Sequence, residues 1–372
     1  MIFSLSQQKQ KRNYDATCHL LKAGKIKSNY SEHQKSTSNS SKVETVLAAL
    51  TRLDDEIAKS ERTHPAARLA VVAIELESIQ QEIRTFEEIT ATVTKDNYAK
   101  TIHQLFINLD LYRRPMLASE NEDFIANVNR KEMRRLELSW LRVRYAELVR
   151  ERRVLHAQIL RSRSLYAQLQ HLLDSIWGNG TRPGTAQESE LTKALGLRDA
   201  LATVSARLRA AAEYAHAAVR VLDDAMPAWK LTTVSKSGWE RTSACADACS
   251  RLVAARCAER GARRVLAAPA APRAARSLRL ALDYAFTDAV HDHKYQRATE
   301  IFFQFKDALV LLIDSIHQVL LNNLENLTAA EKDVANCRKE LRSARVNDIV
   351  KRGLAELKYE PKALTNLNVA MK

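Results

Sequence analysis

From Leu138 to Trp177 the sequence reads LSWLRVRYAELVRERRVLHAQILRSRSLYAQLQHLLDSIW, with apolar residues at alternating steps of three and four. The residues at this spacing form a strict heptad with two polar members: Leu138, Leu141, Tyr145, Leu148, Arg152, Leu155, Ile159, Ser162, Tyr166, Leu169, Leu173 and Ile176. A heptad of this length is typical of a long helix with one buried seam. Ser119 and Glu122 form a capping-box pattern that places the helix start there, which predicts a helix of up to about 58 residues, roughly 87 Å long.

Glycine and proline are scarce in the whole chain, at 8 and 7 of 372 residues. These two residues make most turns and strand ends, so long uninterrupted elements are expected. Hydrophobic residues make up 46% of the chain and aromatic residues only 6%, a balance that suits helix seams better than sheet surfaces. We therefore predict an all-α fold, an elongated antiparallel helical bundle or a set of coiled-coil hairpins.

Breaks in the apolar periodicity divide the chain into segments. A glycine-rich loop from Gly178 to Gly184 predicts a helical hairpin turn, with a second capping box at Thr185 and Glu188, and Pro227 predicts the end of the returning helix. The predicted segments are a disordered basic arm at 1–42, a long-helix bundle region at 43–226, a Trp-containing loop at 227–240, C-terminal helices packing on the bundle at 241–352, and a frayed tail at 353–372.

The C-terminal region contains a helix with an unusually wide apolar face. Between Phe302 and Leu324 two adjacent apolar seams run along the same predicted helix, which favours contacts with at least two neighbours and a central place in the bundle. This helix is expected to run from Ser277 to about Asn326. Thr328 and Glu331 then predict the cap of a separate, basic last helix.

The net charge of +14 is distributed unevenly. Basic segments at 1–42, 130–163, 241–279 and 332–372 alternate with acidic ones. One acidic helix carries Glu75, Glu77, Glu82, Glu87 and Glu88, and one basic helix carries Arg142, Arg144, Arg152 and Arg153. Antiparallel packing of these two helices would match much of the charge within the molecule.

Cysteine usage and the N-terminal sequence bear on the compartment. Five unevenly spaced cysteines favour a reducing environment, and the apolar run at the N-terminus is too short for a secretory signal. The best candidate for a membrane span, Ala308 to Leu321, is interrupted by Asp314 and His317. We predict a cytoplasmic protein, with a mitochondrial location as the alternative if residues 1–42 are a presequence.

The sequence contains no fingerprint of the common nucleotide-binding or hydrolase classes, and no catalytic or cofactor-binding residues are predicted. Three acid-x-x-His pairs have the spacing used in di-metal bundles: Glu61/His64, Asp288/His291 and Asp314/His317. Chance explains much of this number, and a satisfied buried polar pair is the better explanation for Asp314/His317. Cys245, Cys249 and Cys257 are better explained as small residues at a tight helix contact than as zinc ligands, so no metal site is predicted.

Two groups of residues are candidate interaction surfaces. Exposed tryptophan beside basic residues is typical of binding hot spots, which makes the predicted loop a partner-binding candidate through Trp229, Trp239, Lys236 and Arg241. The alternative to partner binding is that both tryptophans cover the end of the bundle. The region from Arg130 to Arg163 contains eleven Lys and Arg, and its candidate contacts to an anionic surface are Arg142, Arg144, Arg153, Arg161 and Arg163. An internally paired or solvated face is the alternative.

Together these features favour a non-enzymatic coiled-coil scaffold or adaptor that binds protein partners. The alternative is a peripheral membrane-binding bundle that contacts anionic lipid through a basic helix face. A nucleic-acid-associated or metal-binding bundle is less favoured, because no recognisable nucleic-acid module and no complete ligand set is present. Heptads permit helix pairing within one chain or between chains, so the oligomeric state stays open.

Overall fold

The computed structural model describes residues 44–90, 98–178, 180, 182–268 and 272–359. These residues form an all-α helical bundle, which confirms the predicted fold class. The elements are β1 (Glu44–Thr45), α1 (Val46–Glu61), α2 (Pro65–Thr90), α3 (Tyr98–Asn108), α4 (Leu117–Glu120), α5 (Glu122–Trp177), α6 (Thr185–Val234), α7 (Gly238–Leu266), α8 (Arg273–Asp288), α9 (Asp292–Lys351) and β2 (Lys358–Tyr359). The predicted basic arm at 1–42 lies outside the described residues.

Three long helices, α5, α6 and α9, form the frame of the bundle. Helices α5 and α9 run in the same direction, because Lys294 Nζ lies 2.9 Å from Glu122 Oε2 at one end and Trp177 Nε1 donates to Asp348 Oδ2 at 2.8 Å at the other. Helix α6 is antiparallel to both and packs against α9 along its length. Helix α7 then covers α6 and the first part of α5, and α8 packs on α5, α7 and α9.

Buried apolar side chains form a large core at one end of the frame and a smaller one at the other. The main core joins α3, α7 and α8 to the first part of α5, the second half of α6 and the first half of α9. The second core joins α1 to the C-terminal ends of α5 and α9. Between them, α2 packs on the middle of α5 through a separate cluster around Val72, Ile79 and Leu148.

The chain near Tyr359 is part of the second core. Strand β2 pairs with β1 in an antiparallel two-residue ladder, with Glu44 opposite Tyr359 and Thr45 opposite Lys358. Tyr359 is buried, and Leu354 packs on the same core. The prediction of a frayed tail from 353 onward is therefore wrong for residues 353–359, because burial of Tyr359 ties them to the bundle, and residues 360–372 lie outside the described part.

Helix α6 continues through Pro227, which the sequence predicted to be a helix end and the start of a loop at 227–240. The described chain between α6 and α7 is only Ser235 to Ser237. Proline costs an internal hydrogen bond, but intrinsic propensity is a weak preference that tertiary packing overrides. Here the packing is supplied by Trp229, two residues further on and 1% exposed in the main core.

The three predicted capping boxes are also wrong. Ser119 belongs to α4, and its Oγ lies 3.3 Å from His291 Nε2. Thr185 is already the first helical residue of α6, and Gly184 precedes it with a φ of 85°. Thr328 lies inside the 60-residue helix α9, where its Oγ1 donates to the carbonyl oxygen of Glu325 at 2.7 Å. A hydroxyl that donates to the preceding turn has a hydrogen-bond partner without ending the helix. The break between the last two helices falls at 289–291 instead of at Thr328.

Candidate functional site

The predicted tryptophan site does not form. Trp229 is buried, stacks on Tyr295 with 5.0 Å between ring centroids, and its Nε1 donates to Thr299 Oγ1 at 2.8 Å. Trp239 lies in the first turn of α7, is 42% exposed and meets the ring of His103 edge-on at 5.1 Å.

The basic members of that predicted site belong to the short turn between α6 and α7. Lys236 lies in the turn itself, and Arg241 Nε donates to the carbonyl oxygen of Ser235 at 2.6 Å. Trp229 is buried in the main core, so it cannot contact a partner. The corrected prediction for this region keeps one half-exposed tryptophan, Trp239, beside a basic turn.

Two of the predicted basic-face residues are used inside the molecule. Arg144 Nε donates to the hydroxyl of Tyr214 at 2.6 Å, and Arg144 Nη2 lies 3.5 Å from the fully buried carboxylate of Glu75. Burial opposes the charge on Arg144, but Tyr214 and Glu75 outweigh it and hold the Arg144 pKa above its ordinary value. Arg142 pairs with Glu87 at 2.7 Å. The expected pairing of acidic α2 with basic α5 is therefore present at these positions.

The other three arginines of the predicted basic face are exposed. Arg153, Arg161 and Arg163 make no ion pair among the described residues. Residues at steps of seven, four and seven lie along one side of a helix. Val143, Arg150, Val154 and Arg161 have this spacing on α5. We define the outer face of α5 as Val143, Arg150, Arg153, Val154, Leu160 and Arg161, all exposed. Arg163 lies on another side of the helix.

A second exposed surface runs along α9. Its members follow the helical repeat and alternate acidic with apolar side chains; we define the α9 strip as Glu300, Phe303, Asp307, Val310, Leu311, Asp314, Leu321 and Glu325. Phe303 is 51% exposed and Leu311 is 67% exposed. None of the four carboxylates makes an ion pair among the described residues. The predicted contact with two neighbours is present, since α6 and α8 both pack on this helix. The predicted central position is wrong, because these neighbours leave Phe303, Val310 and Leu311 exposed.

The acid-x-x-His pairs do not act as pairs. Asp314 is exposed, and His317 instead meets His216 of α6, with 3.3 Å between the two Nε2 atoms. His291 is near Ser119, and Asp288 is a half-buried carboxyl whose pKa burial raises to about 7.

Within the residues that the structure describes, no group of three or more His, Cys, Asp or Glu side chains could hold a metal ion. Cys245, Cys249 and Cys257 are buried free thiols. Burial raises the pKa of Cys245, and that of Cys257 to about 11, so these two thiols stay protonated at neutral pH.

Glu61 and His64 lie instead at an open cavity of about 530 Å³ where α1, α6 and α9 meet. The Glu61 carboxylate accepts from Arg198 Nη1 at 2.5 Å and from Arg338 Nη2 at 2.6 Å, and it also binds the hydroxyl of Tyr166. Burial opposes ionisation of Glu61, but these donors outweigh it and lower its pKa. His64 pairs with Glu331 at 3.0 Å. The cavity is thus a structural junction in which both lining carboxylates, Glu61 and Glu331, already have partners.

A group that sequence reasoning did not single out lines a groove between α5 and α8. Four arginines from the two helices meet there: Arg130, Arg134, Arg276 and Arg279. The sequence shows both segments as basic, and each pair has helical spacing. Only the packing of α8 on α5 brings the pairs together.

Comparison of the chain with known protein families, with curated proteins and with solved structures gives no match. None of the helices in the described ranges has the length and apolar character required to cross a membrane.

Proposed function

We propose that this chain is a non-enzymatic helical scaffold that binds a basic amphipathic helix of a partner protein along the α9 strip. The observation that carries the proposal is the pattern of the strip, in which exposed apolar and unpaired acidic side chains share one line of a single continuous helix. An apolar line on a helix docks amphipathic helices through residues at steps of three, four and seven. The carboxylates select a partner that carries Lys or Arg beside its apolar line.

The strip is held rigid by the opposite face of the same helix. Phe302, Phe305 and Leu309 are buried in the main core, and Lys306 at the edge donates to Asp223 of α6 at 2.6 Å. The exposed side chains of α9 therefore have a fixed backbone, which lowers the conformational entropy lost on binding.

A peptide-binding experiment tests the proposal with a defined probe. The probe is a synthetic helix with leucines on one face and arginines beside them, and the control peptide has the same composition in scrambled order. We expect the full chain to bind the amphipathic peptide about tenfold more tightly than the scrambled one by fluorescence anisotropy. The double variant Phe303→Ser/Val310→Ser should lose this difference, since it removes the apolar contacts without changing the charge.

The matched control is Val143→Ser/Val154→Ser, which removes two exposed valines from the outer face of α5. This variant should bind the amphipathic peptide as the unchanged chain does. Equal binding of the two peptides, or an equal loss in both variants, would reject the α9 strip as the docking surface.

A second candidate function is peripheral binding to anionic membrane through the outer face of α5. The observation that favours it is the alternation of exposed valine and leucine with Arg150, Arg153 and Arg161, none of which has a carboxylate partner among the described residues. Such a face places basic groups at lipid phosphates and apolar groups at the acyl boundary.

Sedimentation with anionic and with neutral vesicles, at low salt and at roughly 0.15 M salt, tests this second candidate. Binding to anionic vesicles that persists at the higher salt and is lost in Arg153→Glu/Arg161→Glu would support it. Arg152→Glu/Arg163→Glu is the matched control, because both arginines are exposed on α5 but lie off the outer face. An equal loss in the two variants would show attraction by net charge alone.

A further inference from the structure

The groove between α5 and α8 collects four guanidinium groups. Arg130 and Arg134 are four residues apart on α5, and Arg276 and Arg279 are three apart on α8, so each pair shares one face of its helix. Leu280 and Asp283 complete the lining, and the groove has a volume of about 460 Å³. We call these six residues the arginine groove. Its size is within the range of roughly 300–1,000 Å³ found for small-ligand sites.

The charge of the arginine groove is not matched by the protein. Asp283 is its one carboxylate, and Asp283 Oδ2 accepts from Arg130 Nε at 3.0 Å. Arg134, Arg276 and Arg279 make no hydrogen bond or ion pair among the described residues. Glu137, one turn beyond Arg134 on α5, is already paired with Arg256. The groove therefore has an excess of three positive charges.

The cavity at Glu61 differs from the groove because three of its arginines have a carboxylate partner. In that cavity the arginines 198 and 338 both hold the carboxylate of Glu61, and Arg342 pairs with Asp54 at 3.0 Å. In the groove, by comparison, only Arg130 has a carboxylate. The side chain of Asp283 is nearly buried, so its bond to Arg130 holds that guanidinium in place.

Guanidinium groups brought together without counter-charge repel one another, and an oxyanion that bridges them removes the repulsion. The planar fork of arginine matches the oxygens of a phosphoryl group with two parallel hydrogen bonds. Two arginine pairs on facing helices suit a ligand with two such groups. We propose that the arginine groove binds an anion with two phosphoryl groups, either free in solution or as the headgroup of a phosphorylated lipid.

Isothermal titration calorimetry with inorganic pyrophosphate at roughly 0.15 M salt tests the site in the full chain. We expect saturable binding that is about tenfold tighter than binding of orthophosphate. Arg134→Gln/Arg279→Gln should weaken pyrophosphate binding by about tenfold or more, since it removes one guanidinium from each helix. Arg134→Lys/Arg279→Lys should give an intermediate loss, because it keeps the charge but not the paired hydrogen bonds.

The matched control is Arg152→Gln/Arg163→Gln, which removes the same charge from exposed, unpaired arginines of α5 and should change the affinity by less than about twofold. Thermal unfolding of each variant shows whether it is folded. Unchanged binding in Arg134→Gln/Arg279→Gln, or an equal loss in the control, would overturn the proposal. The proposal would also be overturned if the unchanged chain bound neither pyrophosphate nor vesicles.

Vesicles separate the two ligand sources. Phosphatidylcholine vesicles with phosphatidylinositol bisphosphate are compared with phosphatidylserine vesicles of equal charge. If the chain sediments only with the phosphatidylinositol bisphosphate vesicles, and Arg134→Gln/Arg279→Gln abolishes this binding, the ligand is a lipid headgroup. Pyrophosphate binding without vesicle binding assigns a soluble ligand. The site does not depend on the α9 strip, so Phe303→Ser/Val310→Ser should leave pyrophosphate binding unchanged.

Discussion

Gly261 shows how one missing side chain permits a buried polar contact. A Cβ at this position of α7 would lie 2.6 Å from Cε1 of Tyr214, whose hydroxyl donates to Glu75 Oε2 at 2.6 Å. Gly261→Ala should therefore lower the free energy of unfolding by about 1–3 kcal/mol, although alanine favours helix by about 1 kcal/mol. Urea unfolding measures this difference.

Gly196 of α6 is the control for Gly261. It is exposed, and a Cβ there would meet nothing within 4 Å. Gly196→Ala should stabilise the protein by up to about 1 kcal/mol through helix propensity alone. If both variants changed stability in the same direction, crowding at Tyr214 would not be the reason for glycine at 261.

Asp288 is a carboxyl whose surroundings favour its protonated form. It is the last residue of α8, where the helix dipole is negative, and burial raises its pKa from 3.8 to about 7. Lys294 and Arg297 oppose this shift and Glu122 adds to it. Because the folded state holds this proton more tightly than the unfolded state, stability is lost as the pH rises from about 4 to about 7.

Asp288→Asn should therefore be more stable than the unchanged chain above pH 7, by about 1–2 kcal/mol, which is less than the full pKa difference because water partly reaches the carboxyl. Near pH 4 the two should be equally stable. Urea unfolding across this range measures the difference. Asp292→Asn, in the first turn of α9, is the control and should give no such gain, since a carboxylate there favours the helix.

At the scale of helices, Glu61 connects four elements through one carboxylate. It ends α1 and binds Tyr166 of α5, Arg198 of α6 and Arg338 of α9. Glu61→Gln should cost about 2–3 kcal/mol, because it leaves the little-exposed Arg338 without a carboxylate and Arg198 with only the exposed Asp199. Since the pKa of Glu61 is lowered in the folded state, its contribution is complete at pH 7 and is lost as the pH falls below its ordinary value of 4.5.

Asp199 is the control for Glu61, because it pairs with the same arginine at 2.7 Å but is exposed. Asp199→Asn should cost less than about 0.5 kcal/mol in chemical unfolding. A similar cost for the two variants would mean that water screens the Glu61 cluster as well.

The contact between α6 and α9 contains two histidines whose ring nitrogens meet. With 3.3 Å between the Nε2 atoms of His216 and His317, one neutral ring donates and the other accepts. Burial lowers the pKa of His216, and the charges of His317 and Arg220 lower it further. Its stabilising contribution is therefore complete above the ordinary value of 6.5 and is lost as the pH falls. In His216→Gln, thermal unfolding between pH 7.5 and 5.5 should depend less on pH; an unchanged pH dependence would exclude this pair as its source.

For the whole described bundle, the two cores predict two levels of local stability. Trp177 is buried in the second core and donates to Asp348, so it joins the C-terminal ends of α5 and α9. Trp177→Ala should make amide exchange roughly tenfold faster in α1 and near Ile349, while residues 208–229 of α6 in the main core keep their protection. Hydrogen exchange followed by mass spectrometry measures this. A uniform increase across both cores would mean that the bundle opens as a single unit.

The all-α class and the long helices follow from the sequence by itself, because the apolar repeat and the scarcity of glycine and proline act over many residues at once. The part of α5 from Leu138 to Trp177 is visible in the heptad alone, and the charge complementarity between α2 and α5 is visible in their composition. These features are local or periodic, and each rests on many residues that favour the same conformation.

Tertiary structure decided what each face does. Pro227 and Thr328 carry local signals for a helix end, and burial of Trp229 and Leu327 in continuous helices outweighs those signals. A seam in the sequence shows that a helix has an apolar face, but the number of neighbours decides whether Phe303 is buried or exposed. The arginine groove exists only because α8 packs on α5, since residues about 140 positions apart in the chain become neighbours through packing and not through any local pattern.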